Sequence, residues 1–285
     1  MPRILTFDSG IGGLGVVAQL RTLLPGMPVD YLADTAVFPY GEQPDAPLRA
    51  RIVHLLGRAI DRLRPSVVVI GCNTASTLAL DSLRAAYDVP FVGCVPPIKW
   101  AADHTRTGTI GLLATRATVR RPYLKDLRAR FAPDCTLLAY GARGLADMAE
   151  AAFRGVPPDH KQLRAELDGL FGQPRGGEID VVGIGCTHYT FLLNAMREIG
   201  PPDVTWLDPA PAVAKQTARI VAELNGPDGP GSPDQPERVF FTALPDDPAT
   251  LQPGLHRLGY TQNAPCLFEP DRTSSPTSVT TGAVE

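Results

Sequence analysis

Val67-Val68-Val69-Ile70-Gly71-Cys72-Asn73-Thr74 is a run of four β-branched residues that ends in Gly-Cys and passes into small polar residues. An apolar run with no polar alternation describes a strand buried on both faces, as in a parallel sheet covered by helices. The same arrangement returns as Val181-Val182-Gly183-Ile184-Gly185-Cys186-Thr187-His188, with Cys186 lying 114 residues beyond Cys72. That distance is too long for one supersecondary unit and suits one copy in each of two similar α/β lobes.

Outward from these two runs, short apolar segments alternate with stretches of helical periodicity, so the fold class is α/β with mainly parallel sheets. Strands are expected at residues 4–7, 29–32, 67–70, 91–95, 109–113, 135–138, 181–184, 204–207 and 238–242. Helices are expected at 13–24, 48–63, 76–86, 124–131, 145–153, 160–170 and 211–224. The first lobe is assigned residues 1–95 plus about 208–260, and the second lobe residues 96–207. Residues 226–236, GPDGPGSPDQP, carry four prolines and read as an exposed connector. Residues 261–285 are short of core-forming periodicity and read as a flexible tail in which Cys266 is incidental.

The 285 residues suffice for about two domains with buried cores. Lys and Arg total 27 against 30 Asp and Glu, a net charge of -3, with no basic block to track a phosphate backbone, so no nucleic-acid partner is expected. No apolar run is long enough to span a membrane, and Met1–Asp8 lacks the apolar core of a signal peptide. The five cysteines are odd in number, scattered, and never paired as CxxC, which argues against a disulfide framework or a zinc site. Thiols kept reduced in the cytoplasm fit this usage. His54, His104, His160 and His256 have no partner at metal-ligand spacing, and none of the four lysines lies in a glycine-rich cofactor motif. No metal and no cofactor are therefore expected.

In an open parallel sheet, ligands bind beyond the carboxyl ends of the strands, where helix N-termini offer unpaired N–H groups. A cysteine there is expected to be more acidic than an ordinary thiol, whose pKa is about 8.5. The competing reading is a cysteine packed as a small hydrophobe, which two copies in like contexts weaken. The opening Asp8-Ser9-Gly10-Ile11-Gly12-Gly13-Leu14-Gly15 follows a strand and leads into a helix. Gly10, Gly12 and Gly15 match a dinucleotide fingerprint, with Asp34 near a ribose-binding position, although Asp8 would set a negative charge beside the pyrophosphate. The same turn can instead present backbone N–H groups to a small carboxylate. Asp34-Thr35, followed by Pro39-Tyr40-Gly41, adds a carboxylate and a hydroxyl at the same sheet end, or simply caps a turn. His188, two residues past Cys186, is either a structural histidine or an aid to proton transfer.

Two thiols facing one another across a polar cleft suit inversion of a stereocentre: one removes a proton from a carbon while the other delivers one to the opposite face. Ser9, Asn73, Thr74 and Thr187 could supply donors to the adjacent carboxylate, where charge develops. A dinucleotide-dependent enzyme using residues 10–15 and a non-catalytic carboxylate-binding protein remain as alternatives.

The motifs Asp8-Ser9-Gly10-Ile11-Gly12-Gly13, Asp34-Thr35 with Pro39-Tyr40-Gly41, Gly71-Cys72-Asn73-Thr74-Ala75-Ser76 and Gly185-Cys186-Thr187-His188-Tyr189 stand in an order that resembles the glutamate racemases of the aspartate/glutamate racemase superfamily. The resemblance runs over about residues 3–224, with a weaker match at 239–242. It implies two pseudo-symmetric doubly wound lobes with an interlobe active site. It also implies cofactor-independent interconversion of L- and D-glutamate to supply D-glutamate for peptidoglycan, by a homodimer. On this resemblance Cys72 serves the D-enantiomer and Cys186 the L-enantiomer, and Asp8, Asp34, His188 and Glu150 assist the thiols. Asp8-Ser9, Tyr40-Gly41, Asn73-Thr74 and Thr187-His188 fall on substrate contacts. The chain departs from the pattern at Ala139-Tyr140-Gly141, where a Cys-Pro is usual, and in residues 115–121, where arginine replaces a small hydroxyl residue. Both departures leave room for a different amino acid, such as aspartate, as substrate. Arg121 is expected to be solvated; pointing inward, it would reshape the pocket or pair with a longer carboxylate.

Overall fold

A computed structural model describes residues 2–225, 236–261 and 266–268. The connector expected at 226–236, apart from Pro236, and most of the expected tail lie outside the described residues.

Among the described residues ten strands form two sheets: β1 (Ile4–Asp8), β2 (Val29–Ala33), β3 (Val67–Ile70), β4 (Phe91–Gly93), β5 (Thr109–Thr115), β6 (Thr136–Ala142), β7 (Val181–Gly185), β8 (Thr205–Leu207), β9 (Val239–Phe241) and β10 (Cys266–Leu267). The helices in chain order are α1 (Leu14–Leu23), α2 (Asp45–Leu63), α3 (Asn73–Ala86), α4 (Ile98–His104), α5 (Arg116–Arg120), α6 (Pro122–Phe131), α7 (Leu145–Phe153), α8 (His160–Phe171), α9 (Leu193–Ile199), α10 (Ala210–Asn225) and α11 (Gln252–Arg257). The first sheet runs β10-β9-β2-β1-β3-β4 and the second β6-β5-β7-β8. Every strand pair is parallel.

The orders 2-1-3-4 and 6-5-7-8 are the same topology written twice. In each, the chain builds to one side of the starting strand and then crosses to the other. The gap between β1 and β3, and that between β5 and β7, are therefore the switch points at which open sheets bind ligands. Cys72 follows β3 and Cys186 follows β7, so each thiol stands at the switch point of its own sheet.

Period-two alternation divides each strand between two cores. Ile4, Val67 and Val69 face α1 and α10, whereas Leu5, Phe7, Val68 and Ile70 face α2 and α3. In the second sheet Leu113, Val182 and Ile184 pack on α7 and α8, and Ile110, Leu112 and Ala114 on α4 and α6. Each fully buried aliphatic side chain contributes about 1.5–3 kcal/mol of transfer free energy. Because strands β1 to β9 have apolar neighbours on both faces, their burial shows in the sequence as apolar runs more than as polar alternation.

Several elements differ from expectation. Helix α3 begins at Asn73 rather than near Ser76, because Cys72 itself caps it. The segment after Cys186 is a 3₁₀ helix over Thr187–Leu192 before α9 starts, so the two Gly-Cys runs are not followed by like helices. Short α4, α5, α9 and α11 were hidden because five to seven residues give too little periodicity. The tail expectation fails at 266–268: Cys266–Leu267 pairs with β9, and Phe268 is buried against Phe240 under the guanidinium of Arg62. Among the described residues no helix is long and apolar enough to cross a membrane.

Candidate active site

Cys72 and Cys186, one from each sheet, line a single cavity. Ser9, Pro39, Tyr40, Gly41, Asn73, Thr74, Thr187 and His188 line it with them, as do Phe38, Thr115 and Ala146, to which the sequence assigned no role. Cys72 ends in extended backbone and its Sγ accepts the Ala75 N–H at 3.5 Å. Burial, then the charges of Asp8 and Cys186, nevertheless push the Cys72 thiol well up, against the weaker pull of the Ala75 and Thr74 amides. The expected acidification at a helix N-terminus is thus present but outweighed by desolvation. The free volume between these walls is about 20 Å³, room for a single water. An amino acid can occupy it only after the walls part.

Behind the cavity stands a layer of carboxylates. Asp8 is fully buried at the end of β1, and its Oδ1 accepts the Ser9 and Gly10 N–H groups at 2.5 and 3.2 Å. Thr187 Oγ1 donates to its Oδ2 at 2.8 Å, which ties the first sheet's switch point to the second's. Burial raises the Asp8 pKa despite the opposing charge of His188 and these hydrogen bonds. Glu150 Oε1 accepts the Ile11 N–H at 2.8 Å and lies 3.1 Å from His188 Nε2, while its Oε2 accepts from Arg154 at 2.9 Å. Burial opposes ionisation of Glu150, but His188, Ile11 and Arg154 together hold its pKa below the ordinary value. For His188, burial works against the charged form. Hydrogen bonds to Cys186 and Glu150 and the charge of Asp8 overcome it and raise the imidazole well above its usual value.

Asp34 is buried at the end of β2 and does not line the cavity. It accepts from Tyr40 Oη at 2.7 Å, from Arg51 Nε and Nη2 at 2.7 and 2.6 Å, and from Thr242 Oγ1 at 2.7 Å. Its helix-capping alternative is not realised, since its side chain makes no cap bond. Asp8, Asp34 and Glu150 therefore stand one side chain back, holding Ser9 and Thr187, Tyr40, and His188 respectively. Asn73 is the opposite case: its Oδ1 and Nδ2 are both buried at the cavity wall without a hydrogen-bond partner among the described residues. A buried amide left unpaired is costly, and here it offers one donor pair and one acceptor to whatever enters.

The glycine run after β1 is explained by close packing. A Cβ on Gly10 would lie 2.2 Å from Glu150 Oε1 and 2.7 Å from His188 Nε2, and one on Gly12 would lie 2.5 Å from His188 Nδ1. The space that a pyrophosphate needs beside this turn is filled by protein side chains, which removes the support for the dinucleotide alternative. Among the described residues no cluster of three His, Cys, Asp or Glu could hold a metal.

Of the two departing segments, Thr115 alone reaches the cavity, and Arg116, Arg120, Arg121 and Ala139-Tyr140-Gly141 fall outside it. Ala139-Tyr140-Gly141 lies in β6, the edge strand of the second sheet. Arg121 is not solvated as expected: it is 7% exposed and pairs with Asp45 at 2.7 Å. Arg51 and Phe38 gave no signal in sequence. Phe38 packs on the His188 ring at a centroid distance of 5.3 Å.

The pattern of the Asp/Glu/Hydantoin racemase family matches residues 15–217. The chain belongs to the Asp/Glu racemase family. It is thus an amino-acid racemase by descent, and its relatives agree. A glutamate racemase of Granulibacter bethesdensis is 52% identical over 254 residues, covering 87% of this chain and 91% of that protein. One of Brucella canis is 44% identical over 245 residues, 86% and 88% of the two chains. The crystal structure of Escherichia coli glutamate racemase, solved with L-glutamate and the activator UDP-MurNAc-Ala, superposes with a TM-score of 0.84 at 35% identity, covering 93% of this chain and 97% of that one. The two mainly parallel sheets are those of this family.

Proposed function

We propose that the chain interconverts L- and D-glutamate by two-base proton transfer between Cys72 and Cys186, without a cofactor. One observation carries the reading: two thiols from the switch points of two sheets line one small polar cavity. The α-proton of L-glutamate leaves to Cys186 as thiolate, while the Cys72 thiol protonates the opposite face of the same carbon; the D-enantiomer reacts in reverse. His188, hydrogen-bonded to Glu150, also hydrogen-bonds Cys186 and stands where it can take or return that thiol's proton. Burial and the Asp8 charge favour a protonated Cys72 in the resting enzyme, the state needed for a proton donor.

Ser9, Asn73, Thr74 and Thr187 receive the carboxylates and amine of the substrate, with Asn73 supplying the unpaired amide. Tyr40-Gly41 closes the opposite wall. Asp8, Asp34 and Glu150 orient these groups. The first lobe comprises residues 1–95 and about 208–260, the second residues 96–207, and the working form is a cytoplasmic homodimer that supplies D-glutamate for peptidoglycan.

A chiral assay of L-glutamate with purified enzyme and no added cofactor tests the reading. D-glutamate is expected to form until the two enantiomers are equal, and Cys72→Ala or Cys186→Ala is each expected to lower the rate at least about a thousandfold. Full activity in either variant, or turnover of aspartate in place of glutamate, would overturn it.

A further inference from the structure

Arg121 is the departure that the catalytic reading leaves unexplained. It lies between α5 and α6, six residues past the cavity-lining Thr115, and is almost wholly buried although it carries a charge. Its partners belong to elements of the other sheet. Nη2 and Nε donate to Asp45 Oδ1 and Oδ2 at the start of α2, at 2.7 and 3.5 Å, and Nη1 donates to Thr77 Oγ1 of α3 at 3.3 Å. Helix α3 is the one capped by Cys72. Beside this pair, Gly41 packs so closely on Thr115 that a Cβ there would lie 3.0 Å from the Thr115 Cβ. The cavity walls thus meet at Gly41 and Thr115, and the guanidinium of Arg121 bridges the same two halves just outside. A fork-shaped cation spanning two elements fixes their relative position as a point charge would not. Arg116 and Arg120 line the adjoining surface hollow together with Arg121 and Asp45.

We propose that Arg121 is a positioning residue for the reaction, an interlobe latch whose contacts to Asp45 and Thr77 hold the cavity walls together, so that the two thiols are reached only when it releases. The proposal takes the cavity as the active site, as above, and adds a device that sets how often it opens. A partly exposed ion pair of this kind is worth a modest amount, which makes release frequent enough for turnover.

The experiment is iodoacetamide labelling of the full-length, substrate-free protein at neutral pH, with rates read at Cys72, Cys186 and Cys94 by peptide mass spectrometry. Cys94 is fully buried in the core of the first sheet, outside the cavity, and reports general loosening. In Arg121→Met, Cys72 and Cys186 are expected to label about three- to tenfold faster, Cys94 unchanged. Arg121→Lys should fall between, since it keeps charge but loses the fork. Added salt should speed labelling of the wild type and leave Arg121→Met unaffected. Arg120→Met removes the same charge one position away and is expected to label like wild type. Equal cavity rates in folded Arg121→Met and wild type would overturn the proposal. So would a parallel rise at Cys94, or an equal effect of Arg120→Met. Labelling needs no turnover, so failure of the racemase reading would leave this result standing, and failure of the latch would leave the chiral assay untouched.

Discussion

Both polar atoms of the Asn73 side chain are buried at the cavity wall without a partner among the described residues. Replacing this amide removes no hydrogen bond from the free protein, so Asn73→Leu is expected to leave the melting temperature unchanged or higher. The same change should lower kcat/KM about ten- to a hundredfold, chiefly through KM, because the substrate loses the partner reserved for it. Thermal melts beside steady-state kinetics check both halves, and a destabilised but fully active variant would contradict the assignment. His188 gives a prediction in pH. Its pKa is raised, so the imidazole is charged through neutrality and loses its proton as pH climbs through the raised value. Glu150→Gln deletes a hydrogen-bonded carboxylate that supports that charge, and the alkaline limb of the kcat/KM profile is expected to move to lower pH. An unmoved limb would show that Glu150 does not govern the histidine. Residues such as Cys72, Cys186 and His188 were legible because they abut apolar strands. Asp34 was legible in position but not in role: its oxygens are taken by Arg51, Tyr40 and Thr242, from three separate segments whose meeting no local pattern announces.

The turn after β1 joins the strand to α1 and also seats the Glu150–His188 pair from the second sheet's side of the molecule. Gly10→Ala is therefore expected to destabilise the protein by about 1–3 kcal/mol and to lower activity beyond what the lost stability explains. Denaturant titrations paired with kinetics on the folded variant separate the two effects, and a neutral Gly10→Ala would show that the turn can yield. The strands were readable in sequence because burial on both faces leaves uninterrupted apolar runs, and α7 was found at its observed limits for want of any competing turn signal. Helix α3 starts earlier than expected because Cys72 acts as its cap, a role the sequence preference for Ser, Thr, Asp or Asn does not suggest. The 3₁₀ segment after Cys186 was not legible at all. It places His188 beside a thiol, where an α-helix like that after Cys72 gives only amides.

At the scale of the whole molecule, residues 266–268 extend the first sheet beyond β9. Phe268 is buried at the far edge, against Phe240 and below Arg62. Phe268→Ala is expected to cost about 3 kcal/mol, seen as a lower melting temperature with kcat nearly unchanged because β9 and β2 stand between β10 and the strand β1 that ends at the site; an unchanged melt would mean that this edge adds nothing. The topology repeated in the two sheets carries more weight. It brings one thiol to each switch point, so that the reacting carbon is approached from two halves at once. Labelling with solvent deuterium tests that claim most directly. When L-glutamate is converted in heavy water and stopped early, the two-thiol account predicts D-glutamate carrying deuterium at its α-carbon, while the remaining L-glutamate stays protiated. D-glutamate that keeps the original proton, or L-glutamate that acquires deuterium as fast as product forms, would mean that a single base serves both faces and would contradict the account.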